Sequence, residues 1–316
     1  MALRAAELMA MYQVDESELD NSLGSLPGKV AKIAGIIGGG MALGSALSES
    51  MDIQAGQAKL TAQLGLTSQE SAQAGKMAGQ LYAQNYGDSL DQVNDAVAAV
   101  YNNIGYSLDD ADFSGITKKV LDLASTFDVD LGGATAAIGQ LMKTGLAKDA
   151  NEALDIVTRG FQLGNDKAGD WLDTLNEYGV QFQKLGIDGA TATNLISQGL
   201  IAGARDSDLV ADAIKEFSIR AVDGSQTTAQ GFEAIGLNAQ TMAERIGAGG
   251  TTARDALAQT LDKLRAMTDP VQRAQAATAL FGTQAEDLGS ALFTLNPKPL
   301  NDVAGAADRM DQTIGS

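Results

Sequence analysis

From about residue 60 onward, apolar positions recur at helical spacing in runs of roughly 10–20 residues, with polar residues on the intervening faces. The breaks between runs share one form: apolar, Gly, apolar, then a capping residue. It occurs as Leu64-Gly65-Leu66-Thr67, Leu185-Gly186-Ile187-Asp188 and Ile235-Gly236-Leu237-Asn238. A glycine just past a helix end takes the left-handed conformation that stops the helix, and the next apolar residue folds back on the last turn. Thr, Asp or Asn then caps the following helix. Phe127-Asp128-Val129-Asp130 reads as a degenerate copy with Asp at the glycine position. Copies lie roughly 50–63 residues apart, too irregular for a solenoid, so helical hairpins with a shared turn design are expected.

Helix starts carry their own signals. Thr67-Ser68-Gln69-Glu70, Asp149-Ala150-Asn151-Glu152 and Thr283-Gln284-Ala285-Glu286 each place an acid three residues after a capping residue. Asp269-Pro270 puts proline at a first helical position, where its missing N–H costs nothing. No stretch alternates like a strand between hairpin turns. The expected fold class is all-α: many short to medium helices in hairpins joined by Gly-capped turns, elongated or loosely globular.

Four regions are expected. Residues 1–26 hold an amphipathic helix ("MALRAAELMAMY") and an acidic linker with Asp15, Glu16, Glu18 and Asp20. Residues 27–59 hold a Gly-rich hydrophobic helix, 60–295 a helical core domain, and 296–316 a Pro-containing linker or truncated end.

The second region poses a question of its own. Ile33–Leu47 carries no charge, five glycines, and the small-residue pairs Gly35/Gly39 and Gly40/Gly44. A phosphate loop does not fit, because Gly38, Gly40 and Gly44 give the wrong spacing and no strand precedes them. As a helix the run reaches about 22 Å, short of the ~30 Å hydrocarbon core of a bilayer. A buried helix packed closely through Gly35, Ile36, Gly39, Gly40 and Gly44 is therefore expected, with entry into a membrane bundle as the alternative.

Composition narrows the chemistry. There is no Cys and no His, which excludes disulfides, Cys/His zinc sites and His-dependent triads or dyads. A net charge of −18 and the lack of a basic, aromatic-bearing stripe argue against nucleic-acid binding. The carboxylate groups (Asp109, Asp110, Asp112; Asp170, Asp173; Asp206, Asp208, Asp212) fall mostly at helix starts, where the helix dipole favours them. Glu49-Ser50 resembles the Glu-Ser pair of lytic transglycosylases, without the glycine- and aromatic-bearing motifs that should follow. No enzyme activity, catalytic residue, cofactor or metal is expected. With aromatics at only 5%, Phe161, Trp171, Tyr178 and Phe182 are expected as packing anchors in a core of Ala, Leu, Ile, Val and Met.

The stretch "GLNAQTMAERIGAGGTTARDALAQTLDKLRAMTDPVQRAQAATALFGTQAEDLGSAL" (236–292) resembles the conserved region of phage tail tape measure proteins. That family's Asp-Pro-x-x-Arg, Leu-Phe-Gly and acidic Glu-Asp-Leu elements are matched here by Asp269, Pro270, Arg273, Leu280, Phe281, Gly282, Glu286, Asp287 and Leu288. "WLDTLNEYGVQFQKLGI" (171–187), "LVADAIKEFSIR" (209–220) and "SLPGKVAKIAGIIGGG" (25–40) are similar to the same family. The resemblance covers residues 20 to 295.

The resemblance implies a structural virion protein in the tail tube lumen, which sets tail length during assembly. It also implies ejection ahead of the DNA, with transient contact with the host envelope or membrane. Implied partners are further copies of itself around the tail axis, tail tube and tail tip proteins, and tail assembly chaperones. An α-helical pore-forming or secreted effector, and more remotely a cell-wall hydrolase, are the competing readings.

Overall fold

The computed structural model describes residues 56–314, and these are helical throughout, with turns between helices and no strand among them. Ile33–Leu47, with Gly35, Ile36, Gly39, Gly40 and Gly44, lies outside the described residues. So does the amphipathic stretch at 1–12.

Contacts divide the chain into two units that meet inside one helix, between Asn94 and Asp95. In the first, a helical stretch over 56–64 precedes α1 (Ser68–Ala83). Leu60, Ala74, Ala78 and Leu81 are its buried apolar positions. The Thr61 and Ser71 hydroxyls share a 2.6 Å hydrogen bond across the intervening turn.

Helix α2 (Leu90–Ala99) carries the chain into the second unit and widens at once into a π-helical turn, Val100–Ile104. Ten helices follow before three short elements close the described chain. They are α3 (Phe113–Phe127), α4 (Leu131–Lys143), α5 (Ala150–Gln162), α6 (Trp171–Lys184), α7 (Gly189–Ile201), α8 (Ser207–Arg220), α9 (Gln226–Ala234), α10 (Ala239–Gly247), α11 (Gly250–Ala266) and α12 (Pro270–Phe281). The short helix α13 (Gln284–Leu288) runs into a 3₁₀ turn, Gly289–Thr294, and α14 (Ala306–Ile314) ends the described chain.

Packing follows the chain in overlapping groups. Helix α4 lies against the π-helical turn, α3, α5 and α6; α6 also packs on α8; α8 also meets α7, α12 and α13; and α9 pairs with α12. The longest of these helices, α11, has 17 residues, about 26 Å of axial rise.

Alanine-rich helices hold together here by close approach around a few large side chains. Trp171, at the start of α6, is fully buried against α5. Its Nε1 donates to the Val157 carbonyl at 3.1 Å, and a Cβ on Gly160 would fall 2.3 Å from the indole ring. Only glycine leaves that space. Phe161 stacks on Phe127 at 4.7 Å, joining α5 to α3. Tyr178 and Phe182 are buried on the same face of α6 as Trp171.

The segment from 296 onward differs from the linker expected of its prolines. It returns to the earlier helices, and α14 packs on α3 and α5. Asn194 donates to the Lys298 carbonyl at 2.9 Å, and the Gln198 amide bonds both the N–H and the carbonyl of Asn296. Proline blocks helix at 297 and 299, but it does not prevent an extended strap held by side chains from elsewhere.

Candidate functional site

The recurring turns are built as three-part devices. Gly65, Gly186 and Gly236 have φ of +63°, +65° and +73°. At the second, Ile187 N–H bonds the Phe182 carbonyl and Gly186 N–H bonds that of Gln183; Leu237 and Gly236 repeat the pattern on Phe232 and Glu233. These paired bonds satisfy carbonyls that the helix end leaves open. The next residue then caps: Asp188 accepts from Thr191 N–H at 2.8 Å, and Asn238 from Thr241 N–H at 2.9 Å. Thr67 and Glu70 close a reciprocal capping box. Asp128 takes the left-handed conformation without glycine, at φ +53°, and Asp130 caps α4 through Gly133 N–H at 2.7 Å. At Asp149 the acid also serves: the side chain accepts from Glu152 N–H, while Glu152 accepts from Lys148 N–H.

One expected box is absent. Thr283 makes no side-chain cap, because it already has helical backbone angles one residue after Gly282 at φ +67°. An N-cap needs an extended residue, and this single-glycine joint leaves no room for one. Asp269 does cap α12, accepting from Val271 and Gln272 N–H at 2.9 and 3.2 Å, with Pro270 as the first helical residue. Phe281 is fully buried and stacks on Phe217 at 4.9 Å, and Phe232 meets Phe217 edge-on at 6.5 Å. The Leu-Phe-Gly segment thus pins α12 to α8 and α9, then reverses the chain. Beside it, Arg220, Thr227, Gln275, Thr278, Glu286 and Gly282 line an open groove of about 450 Å³.

The carboxylates mostly hold backbone. Asp206 caps α8 through Leu209 N–H, and Asp170 accepts from Asp208 N–H, both at 2.8 Å. Burial, outweighing that hydrogen bond, raises Asp170 above the usual carboxylate range. Tyr178 donates to Asp208 at 2.8 Å, and Lys215 binds Asp212 while lying 5.3 Å from the Tyr178 ring centroid. Burial, followed by the bond to Asp208, pushes the Tyr178 phenol up, so it is a poor proton donor at neutral pH. Gln284 donates to the other oxygen of Asp212 at 2.6 Å and ties α13 to the same seam. Each of these acids holds a cap or a cross-helix bond, and only the Oδ1 of Asp170 is buried without a hydrogen-bond partner. Among the described residues no group of three or more His, Cys, Asp or Glu is placed to hold a metal ion.

Sequence reading missed a second polar cluster, where α14 meets α3 and α5. Asp155, inside α5, accepts from Gly305 and Ala307 N–H at 2.7 and 2.9 Å, capping a helix 150 residues away. Lys119 reaches Asp308 at 2.6 Å and Asn151 at 2.7 Å. Asp122 on α3 is only 6% exposed, and its Oδ2 is buried without a hydrogen-bond partner. Burial pushes its carboxyl up to about 7, aided by the hydrogen bond and charge of Asp311 and opposed by Lys118. Asp122 falls on the apolar stripe of α3, between Leu121 and Leu123, which is the one local sign of it.

Comparison with known proteins agrees with the resemblance read in the sequence. A family model described as "Phage-related minor tail protein" matches residues 83–282, from the end of α1 through the Leu-Phe-Gly joint. The chain is 40% identical over 295 residues to a "Probable tape measure protein" of Streptomyces phage phiC31. That alignment takes in 91% of this chain and 40% of the phage protein, so the chain spans less than half the length of that relative. No solved structure matches it. With the family model covering most of the folded helices, the chain belongs to the phage-related minor tail proteins.

Proposed function

We propose that this chain is a folded helical segment of a tail tape measure protein, a structural component of the virion that acts without catalysis. The observation that carries this reading is the 40% identity to a probable tape measure protein across nine-tenths of the chain. In this reading the protein occupies the tail tube lumen, helps set tail length during assembly, and leaves ahead of the DNA. Its partners are other copies of itself around the tail axis, tail tube and tip proteins, and assembly chaperones. The short helices support a role as a folded body rather than the measuring rod. Drawn out as one helix, 316 residues would reach about 470 Å, but no described helix exceeds 17 residues.

The experiment is an in-frame deletion of the codons for residues 113–314 in the phage, with tails measured by electron microscopy. Absent tails, or tails of altered length, are expected; normal numbers at normal length would refute an assembly role. Mass spectrometry of particles before and after triggered ejection tests the second half. Retention of the chain in emptied particles would refute ejection.

Among the described residues no helix is long and apolar enough to cross a membrane. Contact with the host membrane therefore rests on Ile33–Leu47. We assign that run to close packing in the assembled tail, through Gly35, Gly39, Gly40 and Gly44, and to entry into a membrane bundle on ejection. Replacing Ile36 and Gly39 with Asp should impair tail assembly, and should also lower liposome leakage by purified protein. Normal assembly with unchanged leakage would exclude both uses.

A further inference from the structure

The strongest unexplained feature is the way α14 is held. Its first turn is capped by a carboxylate from α5, its middle is tied to α3 by Lys119–Asp308, and it presents Asp311 to Asp122. Ala306, Ala307 and Met310 are its buried apolar positions. Polar groups thus share in holding α14, and two of them are like-charged acids, one of them buried. We propose that α14 is a pH-responsive latch, docked on α3 and α5 while buried Asp122 is protonated against Asp311 and released when Asp122 ionises.

The surroundings leave Asp122 little compensation. On its own helix Lys118 favours the charged form, whereas Lys119 is already engaged by Asp308 and Asn151. From α14 the facing acids are Asp308 and Asp311, and Arg309 turns back to the carbonyls of Asp302 and Ala304. Helix α5 contributes Glu152, Asp155 and Arg159; Asp155 is committed to the α14 backbone, and Glu152 to Lys148 N–H. Helix α4 carries only Lys143, and the π-helical turn carries no charge. The Asp122 carboxyl is raised to about 7 in the docked state, above its ordinary value when α14 is away. Docking is therefore strongest below the ordinary carboxylate range, weakens steadily as pH rises towards about 7, and levels off above it. The docking constant should fall about tenfold between pH 6 and pH 8 if the freed carboxyl titrates in its ordinary range. This latch does not depend on the tail assignment, since it concerns only how the chain's own helices close on one another.

The test is hydrogen exchange of the whole chain at pH 6 and pH 8, corrected for the intrinsic dependence of exchange on pH. Amides of Ala306–Ile314 should lose about tenfold in protection while those of α6 keep theirs, which separates release of α14 from global unfolding. Asp122→Asn should abolish the pH dependence. Asp311→Asn should diminish it, and that variant serves if Asp122→Asn does not fold. Constant protection of α14 in the parent chain would overturn the latch. So would an undiminished pH response in either variant that folds.

Discussion

Gly160→Ala tests the close approach of α5 and α6 directly. In an exposed helix the change would stabilise by up to ~1 kcal/mol, since alanine loses less backbone freedom. Here the new Cβ would sit 2.3 Å from two indole carbons of Trp171 and 2.5 Å from Nε1. The ring would have to move by about 1 Å to restore an ordinary contact near 3.4 Å. It is fully buried, so the move strains its neighbours, at ~1–3 kcal/mol for overpacking. The same shift stretches the 3.1 Å bond from Nε1 to the Val157 carbonyl and leaves a buried donor unpaired, at about another 1–3 kcal/mol. Set against the propensity gain, the net expectation is a loss of about 3 kcal/mol, or roughly 6–12 °C in melting temperature for a unit this large. Trp171 is the chain's single tryptophan, so its emission reports this contact during urea unfolding without interference. Gly115→Ala is the control: nothing lies within 4 Å of its Cβ, and it should be neutral or slightly stabilising. A Gly160→Ala midpoint equal to or above the parent's would refute the packing argument.

Gly236→Val should destabilise by about 1 kcal/mol or more through backbone strain alone, because φ is +73° and no atom lies within 4 Å of a new Cβ. An unchanged urea midpoint would show that the turn relaxes freely. Asp155→Ala should cost the α14 cap about 1 kcal/mol, read as a fall in amide protection over Ala306–Ile314 of about fivefold. Equal protection would mean that the cap adds nothing. Purified protein should release no fragments from peptidoglycan, and turnover abolished by a single carboxylate substitution would overturn the non-enzymatic reading.

The local architecture was legible because its causes are local. A glycine that must take positive φ, an apolar residue folding back, and a capping side chain three residues from its N–H all lie within one helical turn, so Gly186-Ile187-Asp188 can be read by eye. The same holds for Asp128, whose place in the repeating pattern marked a left-handed residue without glycine. Thr283 shows the limit even at this range: its sequence matches a capping box, but the preceding Gly282 joint sets its backbone before its hydroxyl can act.

What tertiary structure decided lies between residues far apart in sequence. Gly160 reads as a weak helix position until Trp171 arrives beside it. Asp155 reads as a solvated face until it meets the N–H groups of Gly305 and Ala307. Asp122 is one more acid in a chain of −18 until α14 covers it. The sequence by itself determined that the chain is helical, where its helices turn, and which family of tail proteins it resembles, because propensity, capping and motif order are carried residue by residue. It could not determine which helix α14 closes upon, or which carboxylate loses its water there. Those depend on desolvation, which belongs to the packed surface and not to any stretch of chain.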